Sequence, residues 1–263
     1  MLVQFDRKLF KSVFTNLRKL YSVNRDLFKN PQDSELCTIQ INYRRSDNLF
    51  SDLCHKYGTD KGESANQIQP HKLSRNVHTY SDFYELIFLN SRQSVQNIFE
   101  CGIGSNSLRY PSSMGELGIP GASLRVLRDY FPVAQIVGAD IDDTCLFTEN
   151  RIKTFCMDQT DSDSIDEFWK KFQGIAFDII IDDGLHTFEA GSKLFAHSFS
   201  HLKAGGTYLI EDVVRVDIPR YMEFFRNLKV DFFFVHLTRN GFSLADNTVI
   251  LIRRPSTEKM GEA

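Results

Sequence analysis

Apolar and polar positions alternate along most of this chain in blocks that predict strands and helices in turn. From residue 95 onward, short apolar and β-branched runs are followed by segments with apolar residues at helical spacing. Strands that alternate with helices predict right-handed βαβ crossovers and a mostly parallel sheet with helices on both faces. The predicted strands cover residues 95–101, 134–140, 153–157, 176–182, 206–211, 230–237 and 247–253, and the predicted helices cover 121–131, 161–173, 187–202 and 217–228.

The last two predicted strands differ from the others in the length of their connection. Only residues 240–246 separate the two apolar runs, which is too short for a crossover and predicts an antiparallel hairpin. The pattern therefore predicts an α/β fold with a seven-stranded sheet, parallel except for one antiparallel strand near the C-terminus.

The first 47 residues have a different character. Residues 2–21 place apolar side chains on one side of a helix and basic side chains on the other, as a basic amphipathic helix does. Such a helix binds a membrane surface or packs on protein, and we favour packing on the main domain or on a second subunit, which would make a homo-oligomer. Residues 30–47 have weak periodicity and predict a linker.

The main domain is predicted to run from residue 48 to residue 263, and it starts with helices rather than with strands. Helical spacing at 48–57 and 80–89 predicts two helices before the first strong strand. Residues 1–47 are then an N-terminal extension of a single main domain.

Composition narrows the class of protein. At 263 residues and 42% hydrophobic content, the chain can bury a sizeable core. Its net charge of -3 and pI near 6.2 give no attraction to nucleic acid, so we expect no nucleic-acid partner. Five cysteines without paired spacing indicate neither disulfides nor zinc, and no apolar run is long enough for an integral membrane segment. We therefore expect a cytoplasmic protein.

Two of the predicted strands end on acidic residues. Asp182, Asp183 and His186 follow one strand, and Glu211 and Asp212 end the next strand along the chain. Because ligands of open α/β sheets bind at the carboxyl ends of parallel strands, these side chains are candidates for a common site. Carboxylates suit a hard divalent cation, and a nearby imidazole is then free to act as a base. This combination predicts an enzyme.

A glycine-containing turn ends the first strong strand. The run Glu100-Cys101-Gly102-Ile103-Gly104 resembles the first motif of class I S-adenosylmethionine-dependent methyltransferases. Glycine permits close approach of the backbone, and the resemblance implies that the methionine part of the cofactor lies there. A nicotinamide-binding G-x-G-x-x-G motif is the competing interpretation, but the third glycine is absent.

Further acidic strand ends follow in the order that this methyltransferase fold implies. Asp140, with Ile141 after it, resembles the residue that binds the ribose hydroxyls, for which the two acceptor oxygens of a carboxylate are suited. Asp158 and Gln159 resemble the motif that contacts the adenine. The resemblance also implies cofactor contacts from Ser123, Asp182, Tyr57 and Lys61.

A closer resemblance, over residues 48–215, is to the metal-dependent O-methyltransferases of macrolide sugars, the mycinamicin and macrocin type. It implies that Asp183, Glu211 and Asp212 bind Mg²⁺, with Asp183 and His186 catalytic and His186 as the general base. The chain departs from the family pattern at Leu185 and in an insert at residues 105–120, which we expect to form part of the acceptor wall. The segments that carry the resemblance are 56–62, 78–84, 121–124, 158–159 and 182–186. The resemblance also implies that residues 48–92 form a helical cover over the cofactor and acceptor, whose aromatic side chains would exclude water from the reaction.

These motifs predict a Mg²⁺-assisted, S-adenosylmethionine-dependent O-methyltransferase. The resemblance implies a small-molecule sugar acceptor: a nucleotide sugar, a precursor of a surface polysaccharide or a glycosylated natural product. Two alternative functions are methylation of a phenolic or catechol hydroxyl and binding of the cofactor without catalysis. At the level of single residues, His186 could instead cap the helix that starts near Thr187, and Asp182 could bond only to backbone amides.

Overall fold

The computed structural model describes residues 22–23, 36–41, 47–62, 78–239 and 247–255. The helix predicted at 2–21 lies outside these residues. None of the helices in the described ranges combines the length and the apolar composition that a bilayer crossing requires.

A ten-stranded sheet forms the centre of the described chain, in the order β1-β2-β9-β10-β8-β7-β3-β4-β6-β5. Its inner strands run parallel, whereas β10 is antiparallel to both of its neighbours. The strands are β1 (Ser22–Val23), β2 (Leu36–Ile41), β3 (Asn97–Cys101), β4 (Gln135–Asp140), β5 (Thr148–Glu149), β6 (Ile152–Cys156), β7 (Phe177–Asp182), β8 (Leu202–Ile210), β9 (Asp231–Arg239) and β10 (Thr248–Arg253).

The predicted α/β fold is confirmed. The predicted strands correspond to β3, β4 and β6 to β10, and β10 is the predicted antiparallel strand. The additional strands lie at the two edges of the sheet. β5 pairs with β6 at one edge, and β1 and β2 lie at the opposite edge. The sheet therefore has three more strands than predicted. Strands β1 and β5 have two residues each, which is too short to leave a pattern in the sequence.

Strand β2 falls within residues 30–47, the segment predicted as a linker. It pairs in parallel with β9, from Leu36 opposite Phe234 to Ile41 opposite Arg239. A free β9 edge would leave a row of unpaired amide and carbonyl groups, and β2 satisfies them. Weak periodicity does not exclude a strand when a neighbouring strand supplies its hydrogen bonds.

Six helices in the described residues cover both faces of the sheet. Their ends carry local signals, including the Asn48–Ser51 capping box of α1 and the left-handed Gly58 that ends it. Thr187, rather than His186, caps α5 by accepting from the amide of Ala190. The helices are α1 (Leu49–Tyr57), α2 (Tyr80–Phe88), α3 (Ala122–Tyr130), α4 (Ser162–Lys170), α5 (Phe188–Ser198) and α6 (Ile218–Leu228).

Two apolar layers lie against the sheet, one on each face. Successive residues of β3 alternate between them, since Ile98 packs with Tyr84 and Tyr130 while Phe99 packs with Trp169. Burial on both faces explains why the central strands read as continuous apolar runs. It also leaves the carboxyl ends of β3, β4, β6, β7 and β8 as the place where polar side chains collect.

Candidate active site

A cavity of about 510 Å³ lies at the carboxyl ends of the parallel strands. Its walls come from the ends of five strands, β3, β4, β6, β7 and β8, from the loop after α1, from the start of α3 and from the insert at residues 105–120. Ten residues of the predicted site line it: Gly102, Gly104, Ser123, Asp140, Ile141, Asp158, Gln159, Asp183, His186 and Asp212. The other residues of the predicted site, Tyr57, Lys61, Glu100, Asp182 and Glu211, do not.

The glycine turn after β3 allows strand ends to approach each other closely. Gly102 has φ +85°, and a Cβ built there would lie 2.0 Å from the carbonyl oxygen of Asp183. The amide of Asp183 in turn donates to the carbonyl of Cys101 at 2.9 Å. A residue with a side chain at position 102 would force the ends of β3 and β7 apart.

Asp140 holds the glycine turn through its carboxylate. One oxygen accepts from the amide of Ile103 and the other from the amide of Asp142, both at 3.0 Å. The residue is 8% exposed and faces the cavity. Each carboxylate oxygen has a second lone pair, so these backbone bonds leave acceptor capacity for a ligand hydroxyl.

Gln159 ties the end of β6 to the turn after β7. Its side-chain amide nitrogen donates to Asp182 at 2.6 Å, and its oxygen accepts from the amide of Leu185 at 3.0 Å. Asp182 is 3% exposed, and burial raises its pKa to about 6. Asp182 therefore does not line the cavity. It accepts from Gln159 and from the amide of Gly184, and so helps to position the turn that carries Asp183 and His186.

Lys61 occupies the centre of a cluster of carboxylates. Its ammonium lies 2.5 Å from Glu211, 2.6 Å from Asp183 and 3.4 Å from Glu100, and the residue is only 3% exposed. Burial alone would lower the pKa of Lys61, but Asp183 and Glu211 raise it well above its usual value. The structure thus places Lys61 among the carboxylates and not in the cavity wall.

Two tyrosines of α2, together with His78 just before it, contact the acidic residues at the strand ends. The hydroxyl of Tyr84 donates to Glu211, and that of Tyr80 donates to Asp212. His78 stacks on Tyr80 with ring centroids 4.6 Å apart, and its Nε2 lies 3.5 Å from Asp212. The predicted cover therefore contacts the acidic residues directly, through hydrogen bonds from Tyr80 and Tyr84.

The candidate catalytic group consists of Asp183, His186 and Asp212. Each offers one ligand atom, and these atoms lie within 4.8 Å of one another. His186 has φ +59° and its Nδ1 lies 3.1 Å from Asp212. Burial would lower the pKa of His186, but the hydrogen bond with Asp212 and the charge of Asp183 raise it to about 9. The same pairing holds the pKa of Asp212 well below its usual value, against the effect of burial.

Two further residues of the predicted site lie away from the cavity for separate reasons. Glu211 is 2% exposed, and its two oxygens face Lys61 and Tyr84. The hydroxyl of Tyr57 donates to Asp129 on α3 and accepts from Arg128. Both side chains are already engaged within the protein, which the sequence motifs do not show.

Sequence reasoning missed several residues of the cavity wall. Within the insert, Tyr110, Met114 and Ile119 line it, and Asp60 lines it from the loop after α1. The insert was expected to form a wall from its position alone, and no residue type in it distinguishes the lining side chains. The motif at residues 56–62 was the available signal for Asp60.

No family model matches the chain. Among curated proteins it is 35% identical over 137 residues to mycinamicin VI 2''-O-methyltransferase of Micromonospora griseorubida, which is 52% of this chain and 32% of that protein. It is 34% identical over 137 residues to demethylmacrocin O-methyltransferase of Streptomyces fradiae, with the same coverage of 52% and 32%. The chain is similar to sugar O-methyltransferases. The resemblance predicted from the motifs is therefore confirmed.

Two further comparisons describe the extent of this similarity. A tetracenomycin-C sugar 3'-O-methyltransferase of Streptomyces olivaceus is 29% identical over 205 residues, covering 77% of this chain and 50% of that protein. The solved structure of MycE methyltransferase in complex with Mg and SAH matches with a TM-score of 0.58 and 24% identity, over 83% of this chain and 58% of that one. The likeness confirms the methyltransferase fold. The chain spans about a third to a half of the length of these curated sugar O-methyltransferases.

Proposed function

We propose that this protein is an S-adenosylmethionine-dependent O-methyltransferase that methylates a sugar hydroxyl. The observation that carries the proposal is that one cavity joins a glycine turn and Asp140 to Asp183, His186 and Asp212. The first group suits a cofactor with a ribose and an amino-acid part, and the second suits deprotonation of a hydroxyl. The similar proteins are all named as O-methyltransferases, and the name of the tetracenomycin-C enzyme includes a rhamnosyl group, which supports the same reaction.

The cofactor would lie along the ends of β3, β4 and β6. The backbone at Gly102 and Gly104 would contact its methionine part, and Asp140 its ribose hydroxyls. Asp158 and Gln159 line the cavity beyond Asp140, where the adenine would lie. Ser123 and Ile141 complete the proposed contacts. The remaining predicted residues would hold the lining residues in position without contacting the cofactor: Glu100, Asp182, Lys61 and Tyr57.

The donor set at the other end of the cavity fits Mg²⁺. Asp183 and Asp212 offer carboxylate oxygens, the ligands that Mg²⁺ prefers, within reach of one another. Glu211 remains a proposed third ligand, through the lone pairs that Lys61 and Tyr84 leave unused. When bound, Mg²⁺ would act as a Lewis acid toward the acceptor hydroxyl.

His186 is the proposed general base. To take a proton from the acceptor hydroxyl, its imidazole must be neutral, so the pKa of His186 in the catalytic complex must fall below the value of about 9 that its pairing with Asp212 gives. Asp212 is the partner of His186 and a proposed metal ligand, so any group that draws on its charge lowers the pKa of the imidazole. In-line placement of the methyl group and the acceptor oxygen supplies the remaining rate enhancement.

The lining of the cavity favours a sugar over a flat phenolic acceptor. Outside the insert, Thr59 and Asp60 on the loop after α1 contribute polar groups to its walls. A catechol pocket would be flatter and more apolar, and a protein that only binds the cofactor would have no use for the His186–Asp212 pair. The acceptor would be a nucleotide sugar, a polysaccharide precursor or a glycosylated natural product.

Thermal unfolding with S-adenosylhomocysteine tests this function before an acceptor is known. At about 100 times its dissociation constant a ligand stabilises by about 2.7 kcal/mol, which raises the midpoint by several degrees. We expect a shift with S-adenosylhomocysteine and a further shift when Mg²⁺ replaces a chelator. Asp212→Asn should retain the first shift and lose the second. Absence of any shift with S-adenosylhomocysteine in the unaltered protein would contradict the function.

Methyl transfer itself is then measured with labelled S-adenosylmethionine. Free and nucleotide-linked sugars, glycosides and catechols are offered as acceptors, with and without Mg²⁺. Transfer to a sugar that disappears in His186→Ala while S-adenosylhomocysteine still binds supports the proposed base. Transfer to catechols alone favours the phenolic alternative.

A further inference from the structure

The insert at residues 105–120 is a preformed part of the cavity and closes on itself through hydrogen bonds. The amide of Met114 donates to the carbonyl of Ser105 at 2.8 Å. The side chain of Asn106 donates to the carbonyls of Gly115 and Gly118 at 2.5 and 3.0 Å. A segment whose backbone groups are paired internally presents its side chains in fixed positions.

Met114 is the side chain that joins this insert to the glycine turn. A Cβ built on Gly104 would lie 2.3 Å from the terminal carbon and 2.5 Å from the sulfur of Met114. A Cβ built on Gly118 would lie 2.4 Å from the Cβ of Met114. The methionine therefore occupies a slot between two glycines, yet it is 40% exposed and lines the cavity.

The anchor points of the insert lie at the cofactor end of the cavity. Ser105 donates from its hydroxyl to Asp142, two residues beyond Asp140. At the other end of the insert, the amide of Gly121 donates to the carbonyl of Ile103 at 2.7 Å. Both contacts join the insert to the ends of β3 and β4. The candidate base His186 and its partner Asp212 follow β7 and β8 instead.

We propose that Met114 is a cofactor-contacting residue, and that the insert forms a wall against the methionine and ribose parts of the cofactor. This inference rests on the proposed function and deepens it, because it assigns the insert to the cofactor and not primarily to the acceptor. The unbranched, polarisable thioether of Met114 suits contact with an irregular ligand surface beside Gly104.

Calorimetric titration with S-adenosylhomocysteine tests the assignment without an acceptor. Met114→Ala removes the side chain from the wall, and we expect its dissociation constant to rise about tenfold, equal to 1.4 kcal/mol. Met114→Leu keeps an apolar side chain of similar volume and should bind within about twofold of the unaltered protein. Leu108→Ala is the matched control, since Leu108 belongs to the same insert, is 85% exposed and does not line the cavity.

Each outcome decides between the two proposals. Weaker binding in Met114→Ala alone, with an unchanged midpoint of unfolding in the absence of ligand, supports the assignment. Unchanged binding in Met114→Ala overturns it and leaves the proposed function standing. Equal loss in Leu108→Ala also overturns it, because the insert would then act only through its general conformation. If the unaltered protein does not bind S-adenosylhomocysteine, the proposed function fails and the assignment of Met114 fails with it.

Discussion

Lys61 determines the charge balance of the candidate site. Glu211 and Asp183 lie within 2.6 Å of its ammonium, and Glu100 lies 3.4 Å away. Without a cation at this point, buried carboxylates would repel one another in a medium of low polarity. The lysine therefore holds the side chains of two proposed metal ligands in position. Burial raises the pKa of Asp183 and of Glu211 above the usual range, and the charge of Lys61 opposes that rise.

Replacing Lys61 with methionine should destabilise the protein strongly. Breaking a buried ion pair by removing one partner costs about 3–5 kcal/mol, because the remaining charge is buried without compensation. Urea unfolding at neutral pH in the presence of chelator measures the loss. Lys56→Met is the control, because the Lys56 side chain is 57% exposed beside Asp129, and its midpoint should match the unaltered protein. A stable Lys61→Met protein would show that the carboxylates are neutral or hydrated.

The His186–Asp212 pair should make stability depend on pH. The pKa of His186 is raised to about 9 in the folded protein, against about 6.5 when unpaired, so its pairing stabilises fully below about pH 6.5 and is lost as pH rises through 9. We expect the metal-free protein to lose about 2–3 kcal/mol over this interval, since each unit of pKa shift corresponds to about 1.4 kcal/mol. Urea unfolding at several pH values measures the slope. His186→Gln should flatten it, and an equal slope in both proteins would contradict the pairing.

At the scale of elements, the site depends on how closely β3 and β7 approach each other. Gly102 makes this approach possible, since a Cβ there would meet the backbone of Asp183 and Gly184. Asp183 is therefore positioned by its own strand and by a glycine on the neighbouring strand. A substitution in the turn after β3 should therefore displace Asp183, the candidate metal ligand that follows β7.

Gly102→Ala should disrupt this junction far more than a comparable glycine substitution elsewhere. We expect a loss of more than about 3 kcal/mol, because backbone must move to admit the Cβ. Gly174 is the control, because it has φ +79° and open space around its position. Gly174→Ala should therefore destabilise the protein only through backbone strain, by about 1 kcal/mol. Thermal unfolding of both variants makes the comparison, and equal losses would show that dihedral strain alone explains Gly102.

The elements that could be predicted from sequence were those whose signal is local. β7 and β8 are apolar runs ending in acids, and α3 to α6 follow the apolar spacing of their own residues. The position of Lys61 could not be predicted in this way, because its partners lie 122 and 150 residues away along the chain. A motif resemblance identified the residue, but only the packing of the loop after α1 on two strand ends shows its contacts.

The same reasoning explains β2. Cys37, Ile39 and Ile41 alternate with polar residues, but the run is short and lies between polar segments, so it predicts part of a linker. Its partner strand β9 lies near the other end of the chain, where local periodicity cannot indicate the pairing. Met114 is a comparable case at the scale of one residue. Nothing in the sequence of the insert distinguishes Met114 from Leu108. Gly104 and Gly118, between which Met114 lies, come together only in the folded insert.

At the scale of the whole molecule, β1 and β2 cover an edge of the sheet that would otherwise be exposed. β9 contains the run Phe232, Phe233, Phe234 and Val235, and its outer edge pairs with β2. An apolar strand with a free edge is a template for pairing with other chains. The N-terminal extension therefore protects the sheet, in addition to any part of residues 2–21 in a homo-oligomer.

Two truncations separate these roles. Removal of residues 1–21 leaves β1 and β2 in place, so we expect an unchanged unfolding midpoint and, if the predicted helix builds an oligomer, a smaller mass by light scattering. Removal of residues 1–46 exposes the β9 edge, and we expect a lower midpoint together with concentration-dependent aggregation. Because both proteins lack the predicted helix, their difference reports on β1 and β2 and the segments that flank them. If the protein that lacks residues 1–46 stays monodisperse with an unchanged midpoint, the β9 edge needs no partner.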